Sequence, residues 1–261
     1  MNTLPDVFDA HVHLDGPEGS LDQNTLEDLT LQMDIAAVDM AVVFSVVSQE
    51  GVTPTQDRNN AVAAAVNQMP ERLVGFCSVH PAQGKKAVQE VERCHSLGLK
   101  GIKLHPLMQD FHCDNDTVHL LAKKAAELDM PLLIHSSFPY NTKESENLYH
   151  LVCSNPETDF ILAHMGGHKF LDCYAYVERR ESGMDNAYFE LSTIAPLFRR
   201  SPFTPQVRWL IQQMGADRVV FGSNYPRYSL VDALAAFREL KLKYEDAQQI
   251  LGKTLAHLLN L

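Results

Sequence analysis

Val7-Phe8-Asp9-Ala10-His11-Val12-His13 is a short apolar run that ends in two histidines spaced i, i+2. Side chains two apart on a strand share a face, so both imidazoles aim at one spot. Two neutral nitrogen donors converging from the end of a strand make half of a transition-metal site. A bare His-x-His also occurs as two unrelated surface histidines, so the decision rests on the rest of the chain.

The same kind of run recurs. Candidate strands are Val7–His11, Met40–Val46, Leu73–Val79, Gly101–His105, Pro131–Ser136, Phe160–His164, Ala187–Ser192 and Arg218–Ser223. Helix-period stretches lie between them, among them Asn59–Met69, Lys85–Leu97, Asp116–Leu128 and Pro205–Met214. A helix N-cap is expected at Asp114 to Asp116, ahead of Val118, Leu121 and Ala122. Strands alternating with helices predict an α/β fold with a parallel sheet, and eight strands close a (β/α)8 TIM barrel. An open doubly wound sheet is the alternative, but no GxGxxG follows the first strand. At 261 residues the chain suits one such domain, residues 1–261, without linker or repeat. Tyr244–Leu261 reads as an extra C-terminal helix outside the barrel.

Composition narrows the partners. A net charge of −11 argues against nucleic acid or an anionic membrane, which leaves a small-molecule substrate. No apolar run reaches membrane-spanning length, and Met1-Asn2-Thr3 lacks a signal-like start, so a cytoplasmic protein is expected. Cys77, Cys94, Cys113, Cys153 and Cys173 show no CxxC pair and read as reduced thiols. The oligomeric state stays open, a homo-oligomer included.

In a TIM barrel the active site forms at the C-terminal ends of the strands. Those ends carry, in order, His11 and His13, Lys103 and His105, His135, His164, Glu190 and Asn224. One histidine after an apolar run is usually a satisfied core or loop residue. Four at equivalent strand ends form a much stronger signal. His168, after Gly166-Gly167, is the exception expected among the remaining histidines, which read as surface residues.

These motifs together resemble the amidohydrolase superfamily, specifically its amidohydrolase-2 group of metal-dependent TIM-barrel hydrolases and decarboxylases. The likeness runs through Asp9-Ala10-His11-Val12-His13, Gly75-Phe76 leading to Pro81, and Gly98-Leu99-Lys100-Gly101-Ile102-Lys103-Leu104-His105-Pro106. It continues in Pro131-Leu132-Leu133-Ile134-His135, Leu162-Ala163-His164-Met165-Gly166-Gly167, Phe221-Gly222-Ser223-Asn224-Tyr225-Pro226 and Ile250-Leu251-Gly252-Lys253. It implies that His11, His13 and His135, with Asn224, bind a divalent metal, for which zinc is expected. His164, Asn224 and Lys103 are the catalytic residues implied. In some superfamily members the strand-four lysine is carboxylated; an uncarboxylated Lys103 touching substrate or neighbours is expected here. The plain alternative for Lys103 is a strand-end lysine reaching solvent.

One position departs from the group. The pattern after strand eight has an aspartate that ligates the metal and takes a proton; this chain has Asn224. Asparagine keeps the shape and a carbonyl oxygen but is neutral. Three readings are open: an introduced substitution that traps substrate, a natural one with His164 or Glu190 taking the proton, or a barrel that kept only its pocket. His105, Arg227, Lys169 and Glu190 are the candidate substrate contacts, and the cations favour a carboxylate-bearing substrate. Phe138, Tyr140, Tyr225 and Tyr228 are candidate pocket walls, with Arg58 and the Gly51–Gln56 loop near the mouth. The expected activity is hydrolysis of a small ester, lactone or amide by a water activated on the metal. The alternatives are a non-oxidative decarboxylase and a catalytically impaired ligand-binding homologue.

Overall fold

The eight apolar runs form eight parallel strands: β1 (Phe8–His13), β2 (Met40–Phe44), β3 (Leu73–Ser78), β4 (Gly101–Leu104), β5 (Leu132–His135), β6 (Phe160–Ala163), β7 (Ala187–Glu190) and β8 (Val219–Val220). The computed structural model describes residues 6–14, 23–46 and 52–261. Met1-Asn2-Thr3 and Gly51 lie outside them. Each strand pairs with the next in sequence order. The ring closes where Ala10 N donates to Phe221 O at 2.9 Å, His13 N to Tyr225 O at 2.8 Å and Asn224 N to His11 O at 2.9 Å. The pairing of β1 with β2 shifts register between Asp9 and Val12. Such an irregularity re-aims side chains, and here it falls at the histidine pair. The last strand is shorter than the expected Arg218–Ser223, because beyond Val220 the chain bonds β1 without a regular ladder.

The helices are α1 (Gln23–Ala36), α2 (Val52–Gln68), α3 (Lys85–Ser96), α4 (Pro106–Gln109), α5 (Asp116–Glu127), α6 (Thr142–Ser154), α7 (Tyr174–Glu181), α8 (Ile194–Leu197), α9 (Thr204–Met214), α10 (Leu230–Glu239), α11 (Tyr244–Gln248) and α12 (Thr254–Leu258). Most of them cover the outer face of the sheet, which is why strands such as Phe160–Ala163 are buried on both faces and read as unbroken apolar runs. Helix α3 turns Ala87, Glu90, Val91 and Cys94 inward, one stripe at helical spacing. The cap of α5 is Asn115, whose side chain accepts from Thr117 N at 2.8 Å. Helix α2 begins seven residues before the expected Asn59, in a polar turn that gave no apolar period. All five cysteines are unpaired. No helix among the described residues is long and apolar enough to cross a membrane.

The expected extra C-terminal helical segment is present, and part of it packs against the barrel interior instead of lying wholly outside. It is α11, a π-helical turn over Gln249–Lys253, and α12. Leu255, Ala256, Leu258 and Leu259 join the apolar cluster of Phe8, Val42, Val74, Phe76, Tyr188 and Val220. Several of these residues lie at or near the strand starts, so the segment plugs the barrel at the end opposite the histidines. Burying four apolar residues there outweighs leaving them on an outer surface.

Candidate active site

The strand ends bring the histidines together. The His11 and His13 rings lie 5.2 Å apart, His11 and His164 4.9 Å, and His135 and His164 5.0 Å. His105 stacks on His135 at 4.0 Å with a 14° interplanar angle. Phe44 packs edge-on against both His11 and His13 and forms the apolar floor. The backbone here is strained: His164, Met165, Thr193 and Asn224 all have positive φ (69°, 44°, 64° and 60°). Asparagine and aspartate tolerate that region better than most side chains, which suits position 224 to either.

Hydrogen bonds fix which ring nitrogen faces the cluster. Glu190 is fully buried, and its Oε2 accepts from His11 Nδ1 at 3.0 Å, Ser192 Oγ at 2.7 Å and His164 N at 3.2 Å. Its Oε1 accepts from Ser192 N. Ser192 spends its single hydroxyl proton on Glu190, so His164 Nδ1, 2.9 Å from Ser192 Oγ, is the donor to that oxygen. His11 and His164 are thereby left with an unprotonated Nε2, and that of His11 lies 3.2 Å from His13 Nε2. His135 donates from Nε2 to Ser137 O at 2.8 Å, and its Nδ1 is buried without a partner. His105 accepts from Met108 N at Nδ1, which leaves its half-buried Nε2–H as a donor.

Electrostatics keep these rings neutral. Burial, then the Lys103 ammonium and neighbouring histidines, holds His11 well below its ordinary value. Burial and then Lys103 bring His135 down to about 4; burial and Lys103 bring His13 to about 3, against a hydrogen bond that His13 donates to Asn224. His164 and His105 are lowered mainly by burial. Burial also lowers Lys103, which Glu190 opposes, and raises Glu190, which its hydrogen bonds oppose. Lys103 Nζ is buried 5.0 Å over the Phe44 ring with no hydrogen-bond partner, so it does not reach solvent.

A divalent cation fits this donor set. His11 Nε2 and His13 Nε2 are 3.2 Å apart. Two nitrogens about 2.1 Å from one tetrahedral ion would be about 3.4 Å apart. The orphaned Nδ1 of His135, whose ring neighbours that of His164, is a further neutral lone pair in the cluster. Among the described residues, the three groups whose ligand atoms all lie within 4.8 Å of one another are His11, His164 and Glu190. Glu190 already accepts from four donors and lies behind the histidine rings.

Several expected site residues are placed differently. Glu190 has no exposed surface and cannot touch substrate. Lys169 turns outward, donating to Thr142 Oγ1 at 3.2 Å. It lines a cleft of about 340 Å³ beside α6 and α7 that contains none of the clustered histidines. Arg227 is exposed on the loop after Asn224, its guanidinium 5.8 Å from the Tyr228 ring centre. His168 is exposed and lies outside the cluster. Asn224 is nearly buried; its Nδ2 donates to Thr193 Oγ1 at 3.0 Å. Arg58 donates to Ser45 Oγ at 3.1 Å, just past the end of β2. Phe138 packs edge-on against His135, whereas Tyr140 is fully exposed.

Sequence reading missed Ser192, Thr193 and Asp9. Ser192 sits i+2 from Glu190, the same spacing rule that singled out His11 and His13. Asp9 Oδ1 accepts from His11 N and Ser223 N, each at 2.9 Å, clasping the first strand to the last. Burial pushes its carboxyl up to about 6 against those hydrogen bonds.

Residues 8–261 match the family model described as Amidohydrolase. The chain belongs to the amidohydrolase family. No curated protein matches the sequence of this amidohydrolase. Similar solved structures include 5-carboxyvanillate decarboxylase LigW from Sphingomonas paucimobilis, at 15% identity and TM-score 0.74, covering 98% of this chain and 99% of that one. A probable 2-pyrone-4,6-dicarboxylic acid hydrolase from Acinetobacter baumannii with citric acid bound gives 16% and 0.71, covering 98% and 100%. A dihydroxybenzoic acid decarboxylase from Polaromonas sp. JS666, with bound manganese and 2-nitroresorcinol, gives 17% and 0.72, covering 98% and 97%. At these identities the likeness is one of fold.

Proposed function

We propose that this amidohydrolase is a metal-dependent hydrolase of a small, carboxylate-bearing ester, lactone or amide. The observation that carries the reading is the chain from His164 Nδ1 through Ser192 Oγ to Glu190 Oε2, which leaves His164 Nε2 as a proton acceptor facing the histidine cluster. His11, His13 and His135 would hold the ion, with the Asn224 carbonyl oxygen as a neutral fourth donor. When bound, a divalent ion polarises a carbonyl oxygen and acidifies a water. Zinc suits this nitrogen-rich set, and manganese, present in the Polaromonas neighbour, is the second choice. His164 takes the proton from the attacking water at Nε2 and returns it to the leaving oxygen or nitrogen. Glu190 steadies the resulting imidazolium through Ser192. His105 Nε2–H offers a neutral hydrogen bond to a substrate oxygen, and Arg227 brings positive charge to the loop above.

A second reading is non-oxidative decarboxylation. That reaction releases carbon dioxide and puts a proton on carbon; Asn224 cannot give that proton, so His164 in its protonated form would have to supply it. The neighbours include both reaction types. The test is elemental analysis of purified protein followed by a panel of carboxylate-bearing esters, lactones, amides and aromatic acids, with and without chelator. Chelator-sensitive acid release without carbon dioxide is expected. Carbon dioxide evolution establishes the second reading, turnover by metal-free protein in chelator overturns the metal-dependent one, and silence across the panel favours a binding protein.

A further inference from the structure

The side-chain donors facing the cation site are, among the described residues, neutral: the histidines and the Asn224 amide. Among the described residues two carboxylates are buried beside them. Asp9 spends one oxygen on main-chain N–H groups and bonds no histidine ring. Glu190 differs, because its Oε2 is bonded directly to the Nδ1 of His11. Its seat is built to keep a carboxylate in place: Ser192 N and Oγ, His164 N and His11 Nδ1 all donate to it. Gly222 leaves the room, since a Cβ there would collide with Glu190 Oε1 and lie 3.0 Å from His11 Cβ. A buried carboxylate held by that many donors is preorganised, and its field is weakly screened.

We propose that Glu190 supplies, through His11, the negative charge that no directly facing side chain among the described residues brings to the cation. It is a positioning residue that fixes the His11 tautomer and raises the basicity of Nε2. The inference rests on the metal-site reading above. A carboxylate bonded to a ligating imidazole typically changes metal affinity by roughly 10- to 100-fold.

The test is equilibrium dialysis of the intact protein against buffered Zn²⁺ for wild type, Glu190→Gln, Asn224→Asp and the double variant. Glu190→Gln is expected to lose roughly 10- to 100-fold in affinity. Asn224→Asp, which brings a charge directly, is expected to shrink that loss to less than about threefold, the non-additivity of two residues serving one ion. An unchanged affinity in Glu190→Gln, or an equal loss in both backgrounds, overturns the inference. Wild type that takes up no ion overturns the metal-site reading itself, and this inference with it. If Glu190→Gln does not fold, ¹H–¹⁵N spectra of zinc-loaded wild type decide. His11 protonated at Nδ1 supports the inference, and His11 protonated at Nε2 overturns it.

Discussion

Asn224→Asp combined with His164→Asn gives the sharpest test of the chemistry. The Asn224 Nδ2 donates to Thr193 Oγ1 at 3.0 Å. A carboxylate oxygen in its place would accept from the same hydroxyl turned about, so the contact survives and the left-handed backbone is kept. The new charge is nearly buried, which costs on the order of 1–3 kcal/mol of stability in metal-free protein and is offset once a cation binds. A positioned general base is worth about 10²–10⁴-fold. If His164 already serves as that base, Asn224→Asp changes the rate by less than about tenfold, because two bases would share one proton. The added anion also weakens acidification of water at the ion. His164→Asn, which keeps a donor toward Ser192, should lower wild-type kcat/KM by about 10²–10⁴-fold. The same change in the Asn224→Asp background should cost less than about tenfold, since the carboxylate takes over. The assay is steady-state hydrolysis of the best panel substrate by zinc-loaded protein, with melting curves to confirm folding. A gain above about 100-fold in Asn224→Asp alone would refute the reasoning. The wild type would then lack a working base.

Three further outcomes are expected. Glu90 is buried, accepts from Arg93 at 2.7 and 2.8 Å and from Asn59 at 2.8 Å; burial alone would raise its carboxyl, but these bonds hold it below its ordinary value. Its contribution is therefore full above the unfolded value of about 4.3 and is lost as pH falls through the lowered folded value. Glu90→Gln should cost about 1–3 kcal/mol near neutrality, with the melting-temperature gap from wild type closing toward pH 3; a gap independent of pH contradicts this. Leu255→Ala, which removes a fully buried side chain from the barrel plug, should cost about 2–5 kcal/mol in urea titration. A cost below about 1 kcal/mol would show that the plug is not packed into the core. Gly167→Ala should destabilise by about 1–3 kcal/mol and depress turnover, because φ is +58° and a Cβ would sit 2.8 Å from Ser137 Cβ. Unchanged melting and kinetics would show that the loop carrying His164 has slack.

The barrel was legible because each strand is buried on both faces and announces itself as an apolar run, and helices such as α3 and α5 keep the helical period. The histidines were legible because each closes such a run. What the pattern could not carry was direction. Lys169 and Glu190 looked alike as polar groups near strand ends. One turns out to Thr142, the other lies beneath the histidines. The C-terminal helix looked like outer cover, since amphipathic spacing does not say which apolar surface is open to receive it.

By itself, the sequence determined the eight-fold alternation, the strand ends and the set of groups that can bind a cation, because period and composition are local properties. The tertiary structure alone decided which ring nitrogens are free. For His11 and His164 that depends on Glu190 and Ser192, brought in from β7 and the residues after it. His135 and His105 are instead fixed by Ser137 and Met108, two and three residues along their own loops. It also decided that the charge nearest His11 comes from Glu190, across a barrel whose closure brings residues 11 and 190 into contact. A hydrogen-bond direction is a property of two groups at once, and their meeting is set by the fold.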